Sequence, residues 1–376
     1  MQAFQRFFLH FNFVKNIKLI EVYLNLILTS FSFSLVGLFI PIYLLKEIGK
    51  SFDAVMLFLI LYGLFTLLGF YIALNLSKYA GLNVTVMLSV PIRLAFLLML
   101  NALKNYNISL ILIAFIGGIG APMFWLPFHK RFSQFSDHGK RGAELGLMYA
   151  ANGFFAIIAP LFGGVVAQTF GFKWLYALAG IILGLSVVPL LFIKNEKLEK
   201  QIYIKDILKG RTYRELLGYF AEGYRINAYV LWMIFVFFII SSYVTIGGLS
   251  SVVVLFNTLF NMVVGYFSDV WDKKKILRIG ALTDAITWIL RVIFTSIYSI
   301  FALTSISGMA ISVWHTPFMM KYYDKIVKKD GLLQLLFREI GLVLGKTLLF
   351  LLAMIFGMEF ALVSVGFVLL FTMIYE

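Results

Sequence analysis

Twelve predominantly apolar runs, each 18–26 residues long, fill most of this 376-residue chain. They lie near 19–44, 53–76, 84–103, 107–128, 143–168 and 172–193, then near 228–246, 248–268, 276–296, 298–320, 333–356 and 358–375. A helix needs about 20 apolar residues to cross the hydrocarbon core of a bilayer. Only helices and closed barrels satisfy every backbone N–H and C=O there. The runs are too long for barrel strands and lack their period-two alternation. An all-α polytopic membrane protein with 12 transmembrane helices is therefore expected. Composition agrees: with 61% hydrophobic and 13% charged residues, the chain has too little charge to coat a soluble body of this size. That argues against an ordinary soluble enzyme and a disordered chain, and the absence of cysteine excludes disulfides and thiolate metal sites. The bulky Phe7, Phe8 and Phe11, with no small-residue cleavage site after them, argue against a removable signal peptide.

The net charge of +14 first suggests an anionic partner such as nucleic acid. Position decides otherwise. Of 32 Lys and Arg, 25 fall in the N-terminal tail, in the even-numbered loops and at Arg338. The odd-numbered loops hold only Lys46, Lys50, Lys104 and Lys173, and Arg93, Arg291 and Lys346 lie within runs. The positive-inside rule then places both termini in the cytoplasm of a multi-pass cell-membrane protein. It accounts for the charge without nucleic acid.

The longest break, 194–227, divides the chain into an N-terminal six-helix bundle (1–193), a linker and a C-terminal six-helix bundle (228–376). Within the linker, Tyr213, Leu216, Leu217, Phe220 and Tyr224 recur at helical spacing, with Arg211, Arg214, Glu215 and Glu222 off that stripe. This predicts an amphipathic helix lying on the inner membrane surface. Phe4, Phe7, Phe8, Phe11 and Val14 suggest another at the start. The two halves are also alike. Gly118, Pro127, Phe128, Arg131 and Phe132 match Gly308, Pro317, Phe318, Lys321 and Tyr322 at an offset of 190, and Leu76–Ser77 matches Phe267–Ser268 at 191. With six spans each, the halves share one orientation, the parallel repeat of a transporter built from two related bundles.

Gly265, Asp269, Lys273 and Lys274, at the end of the eighth run, resemble the Gly-x-Leu-x-Asp-Arg-x-Gly-Arg-Arg/Lys loop signature of the major facilitator superfamily. Asp272 stands where that signature has its second glycine, and the first-half copy has Lys78 in place of the acid. In the fifth run Gly153, Pro160, Gly163 and Gly164 look like the Gly-Pro-x-x-Gly-Gly motif of the family's antiporters, with Ala159 for the first glycine; small residues there allow close helix packing. Gly117, Gly118 and Gly120 are similar to a further family motif, but its arginine is Ala114 here, so no coupling role carries over. The resemblance implies secondary transport by alternating access, with the loop acids closing a cytoplasmic gate. Asp269 would meet the start of the fifth span near Arg141, and Lys78 would pair with Glu339 in a charge-swapped copy. Lys78 as a plain positive-inside residue is the alternative.

Ionisable groups within spans are functional candidates because burying them is costly. Lys346, between Gly345 and Thr347 near the middle of the eleventh run, is the foremost: its charge needs an acid, carbonyls or an anionic substrate group. Trp125 and His315 are repeat-equivalent beside Pro127 and Pro317, as a stacking and a proton-shuttling group or, alternatively, membrane-belt residues. Asn152, Asn257 and Glu21 complete the candidate substrate or coupling set, with Asn25 and Ser32 continuing the face of Glu21. Arg93 and Asp284, equivalent at an offset of 191, are expected to be structural, because the resemblance puts their helices outside the cavity; Asp284 and Arg291 are seven residues apart, too far for a simple pair. The four histidines show no metal spacing, and there is no phosphate-binding loop or nucleophile elbow. A monomeric, cofactor-free, non-enzymatic carrier of a small molecule follows, with H+ as the coupling ion and the bilayer as its other partner. Proton-coupled efflux is the leading direction. Uptake of a small anionic metabolite, and a lipid-handling or sensing role on the same fold, are the alternatives.

Overall fold

The computed structural model describes residues 17–135, 141–192, 194–198, 206–270, 272–328 and 331–375. The expected N-terminal surface helix at Phe4–Val14 lies outside these residues. Thirteen α-helices are described: α1 (Ile17–Val36), α2 (Phe39–Lys46), α3 (Phe52–Tyr79), α4 (Leu82–Ala102), α5 (Leu110–Phe135), α6 (Arg141–Thr169), α7 (Phe172–Leu185), α8 (Tyr213–Ile240), α9 (Tyr243–Val270), α10 (Lys273–Ile293), α11 (Ile297–Lys328), α12 (Gly331–Phe356) and α13 (Met358–Leu369). They make up twelve membrane-crossing units. The first is α1 and α2 broken at Gly37, because Pro41 has no N–H to give the Gly37 carbonyl and its ring crowds that oxygen. The sixth and twelfth end in short 3-10 turns, Val188–Leu191 and Leu370–Ile374. Ten described segments are long and apolar enough to cross a membrane on their own; the others are α10, which opens on three lysines and holds Asp284 and Arg291, and the shorter Met358–Ile374.

Helices α1–α7 pack among themselves, as do α8–α13. The two groups meet chiefly along α6 against α9 and α3 against α12. Gly164 and Gly247 let α6 and α9 approach closely at the first contact, and Gly163 does the same for α6 and α1. A side chain at Gly163 would run into the Leu35 carbonyl of α1, and one at Gly164 into the Tyr243 carbonyl of α9. At the end away from the basic loops, the Tyr243 hydroxyl donates to Glu47 at 2.8 Å and the Val244 N–H to Gln168 at 3.2 Å, which joins the two groups there. At the basic end, Leu332, Leu335 and Leu336 of α12 pack with Phe70, Ala73 and Leu74 of α3 and with Leu198 of the linker. The linker begins as a strap on α3 and α4. Asn195 accepts from the Asn83 N–H at 3.0 Å and donates to the Ala80 carbonyl at 2.8 Å, and the Leu82 N–H donates to the Glu196 carbonyl at 2.8 Å.

One expectation is overturned. Residues 213–227 are not a separate surface helix; they are the first half of α8, which continues unbroken to Ile240. The seventh crossing thus starts near 213 instead of 228, and the linker is correspondingly shorter. Thr212 caps the helix, accepting from the Glu215 N–H at 3.3 Å, and Ser241, at φ 54°, turns the chain into α9. Asp272, which interrupts the loop signature, caps α10 by accepting from the Lys274 N–H at 2.9 Å.

Candidate functional site

Glu215, Tyr219, Glu222 and Arg225 are spaced four, three and three apart, so they share one face of α8. That polar face turns into the C-terminal bundle, and all four are buried. The sequence pattern separated the two faces but left the polar one in water, whereas Glu215, Glu222 and Arg225 are buried in the bundle. A buried charge is tolerated only with a partner, and each charge here has one. Glu215 meets Lys325 at 2.7 Å. Tyr219 shares its hydroxyl with Tyr375 at 2.9 Å and accepts from Gln334 at 2.8 Å. Arg225 donates from Nε to Asp284 Oδ2 at 2.8 Å.

Glu222 is the hub of a polar cluster that joins α8, α11 and α12. Its Oε2 accepts from Arg338 Nε at 2.9 Å, and its Oε1 accepts from Arg338 Nη2 and lies 3.1 Å from His315 Nε2. The Arg338 guanidinium also sits 4.9 Å from the Tyr322 ring and 3.9 Å from Glu339. From the other bundle, Trp125 stacks on His129 at 5.7 Å, and His129 is close enough to feel the Arg338 charge. Of the two positions singled out by the repeat, His315 joins this cluster, while Trp125 contacts His129 on its own helix. Glu222, the hub of the cluster, and Arg338 were missed as site residues because both were assigned to the inner-face charge.

A second convergence involves Lys346. Its Nζ lies 4.9 Å over the Tyr62 ring of α3, and its stem packs at Gly63. Arg93, from the middle of α4, reaches the same tyrosine electrostatically and lies 3.8 Å from the Phe33 ring and 5.3 Å from the Phe124 ring. Arg93 is buried, and its Nε and Nη1 have no hydrogen-bond partner. Among the described residues, no carboxylate comes within ion-pair distance of Arg93 or Lys346. The Arg93 side chain passes between α1 and α5 toward Tyr62. The internal repeat appears here as contacts. Arg93 meets Phe124 in one half, while Asp284 accepts from Trp314 at 3.1 Å in the other, and both residues of each pair are repeat-equivalent.

The remaining candidates are dispersed. Asn257 accepts from Asn261 at 2.9 Å, and Ser312 and Thr316 of α11 donate to the Asn257 carbonyl and to Asn261, both at 2.7 Å. That knits α9 to α11 inside one bundle. Asn152 is half-buried on α6, with an Oδ1 that has no hydrogen-bond partner. Glu21 is half-buried near the start of α1. Asn25 and Ser32, expected to line its face, instead donate to the Ser186 and Ala179 carbonyls of the sixth crossing, at 2.6 and 2.7 Å. Lys78 and Glu339 are not paired in this structure: Lys78 lies 5.3 Å over Tyr79, and Glu339 lies beside Arg338. Arg141, Gly265 and Asp269 sit on described helices, but their side chains lie outside the described residues. Lys273 and Lys274 open α10 behind its Asp272 cap, Gly153 packs on Thr258 of α9, and Pro160 faces Gly247. No group of three metal-ligating side chains occurs among the described residues.

The geometry is that of two six-span bundles, with Lys346 of one reaching Tyr62 of the other and ion pairs buried in the second. The sequence profile of the Major Facilitator Superfamily matches residues 22–247, more than half the chain. The crystal structure of a D-xylose-proton symporter superposes with a TM-score of 0.71 over 94% of this chain and 96% of that one, at 14% identity. No curated protein sequence matches. By its sequence profile, with a fold to match, this multi-pass membrane protein belongs to the major facilitator superfamily of secondary transporters.

Proposed function

We propose that this transporter carries a small anionic solute by alternating access, taking it up together with protons. The observation behind this is the pair of cations, Arg93 and Lys346, on either side of Tyr62 between α3, α4 and α12, with no described acid to balance them. A charge held in a membrane interior calls for a partner, and an anion between the bundles would supply one in both access states. Moving a net charge across a membrane costs about 2.3 kcal/mol per 100 mV. Protons travelling with the anion cancel that cost. Glu339, half-buried 3.9 Å from Arg338, is the carboxyl group suited to take up the proton, because Arg338 is already engaged at two points by Glu222. The structural relative is itself a proton symporter by title, which favours symport. The reading carries both termini inside the cell and a monomeric carrier of the cell membrane. Export in exchange for protons rests on the glycine- and proline-containing stretch of α6 and on the aromatic-rich chain.

Purified protein in proteoliposomes, with an acid-outside gradient and pooled small organic anions outside, tests this. Anion-dependent proton entry is expected. Lys346→Ala should cut it at least tenfold, and Lys346→Arg should retain part. Uptake of neutral or cationic solutes alone, or full anion flux in Lys346→Ala, refutes the anion reading. Flux only against the imposed gradient refutes the direction, and lipid translocation without solute flux points to a lipid-handling role.

A further inference from the structure

A third cation has no acceptor, and it lies inside one bundle, away from the junction. Arg291, two residues before α10 ends, is fully buried. Its guanidinium carbon lies 4.1 Å from the Trp288 ring and 5.0 Å from the Trp232 ring. Those rings satisfy the faces of the cation but not its in-plane donors, and Nε, Nη1 and Nη2 all lack a hydrogen-bond partner. The indole N–H groups of Trp232 and Trp288, both fully buried, also have none. The carboxylate whose charge reaches Arg291 is Asp284. Its two oxygens are already taken by Arg225, Ser307 and Trp314. The interior thus holds two guanidiniums against one carboxylate. An arginine cannot shed its proton to escape, and an unpaired buried charge is strongly destabilising.

The unfilled groups of Arg291, Trp232 and Trp288 are all donors, and the unfilled Tyr229 hydroxyl within electrostatic reach of Arg291 can donate as well, so the missing partner is an acceptor. We infer that the C-terminal bundle holds a small inorganic anion, of halide size, between Arg291, Trp232 and Trp288. It completes the charge of the Asp284, Arg225 and Arg291 network and ties α8 to α10. It is distinct from the solute site, because α8 and α10 belong to the same bundle.

The test needs no transport. Protein purified in gluconate is titrated with chloride, bromide, nitrate or acetate while thermal unfolding and tryptophan emission are followed. A saturable rise in Tm with chloride and bromide, a saturable emission change with bromide, and loss of both in Arg291→Gln are expected. Should Arg291→Gln not fold, Arg291→Lys and the anomalous scattering of bromide in wild-type crystals replace it, with a peak expected beside Arg291. Equal Tm and emission in gluconate and halide, a halide response unchanged in the variant, or stabilisation by acetate alone overturns the inference. So does a bromide peak elsewhere with none at Arg291.

Discussion

Asp284→Asn isolates the charge that holds the C-terminal bundle together. Asp284 is fully buried and accepts from Arg225 Nε at 2.8 Å, from Ser307 at 2.6 Å and from Trp314 at 3.1 Å. Asparagine keeps the shape and one acceptor oxygen but removes the charge, leaving Arg225 and Arg291 buried with no acid. Breaking a buried pair from one side costs about 3–5 kcal/mol. An unfolding entropy of about 2.1 cal/mol/K per residue, taken over the whole chain, gives roughly 0.8 kcal/mol per degree and hence a Tm loss of about 4–6 °C. The loss doubles if the C-terminal bundle melts alone. Thermal unfolding of purified protein in detergent measures it. The decisive arm is Asp284→Asn combined with Arg225→Gln, which removes both charges while keeping polar groups for Ser307 and Trp314. That double variant should recover most of the loss. A single variant within about 1 °C of wild type, or a double variant no better than the single, refutes the view that the uncompensated guanidinium is the source.

Two further outcomes follow. Glu339→Gln should abolish proton-driven accumulation of the solute while exchange of solute across the membrane persists, because Arg338 keeps its Glu222 partner and only the protonatable carboxyl group is lost; equal loss of both activities would make Glu339 structural. Gly164→Leu should lower Tm and transport together, since overpacking typically costs about 1–3 kcal/mol and the new side chain meets the Tyr243 backbone where α6 crosses α9. Unchanged stability in Gly164→Leu would show that this contact is loose.

Much of the fold was legible because each property involved is local. Whether a run of residues prefers hydrocarbon depends on that run alone, so the crossings were readable, and the loops drew the lysines and arginines regardless of neighbouring helices. Errors came where a residue's role depends on what lies opposite. The stripe at Tyr213, Leu216 and Phe220 has the right period, but a period says only that two faces differ. In a bilayer, the polar face turns inward when partners await it. Thr212 and Glu215 carried a usable signal, a helix-start pattern three residues apart, for a crossing that begins at 213. Arg93 shows the same limit. Its contacts with Phe33 and Phe124 depend on how α1 and α5 pack beside α4, which its own helix does not reveal.

The amino-acid sequence by itself determined the solvent, the number of crossings, the doubling of the chain into two similar halves and the mid-span position of Lys346. These follow from transfer energies and spacing, which add up residue by residue along the chain. Only the tertiary structure decided that Glu222 belongs to Arg338 and His315, that Asp284 answers Arg225 instead of Arg291, and that Arg93 and Lys346 share Tyr62. Such partnerships join residues up to 284 positions apart, counting Tyr62 to Lys346. Coulomb attraction and hydrogen bonding act over a few ångströms of space, and separation along the chain says nothing about that distance until the helices are packed.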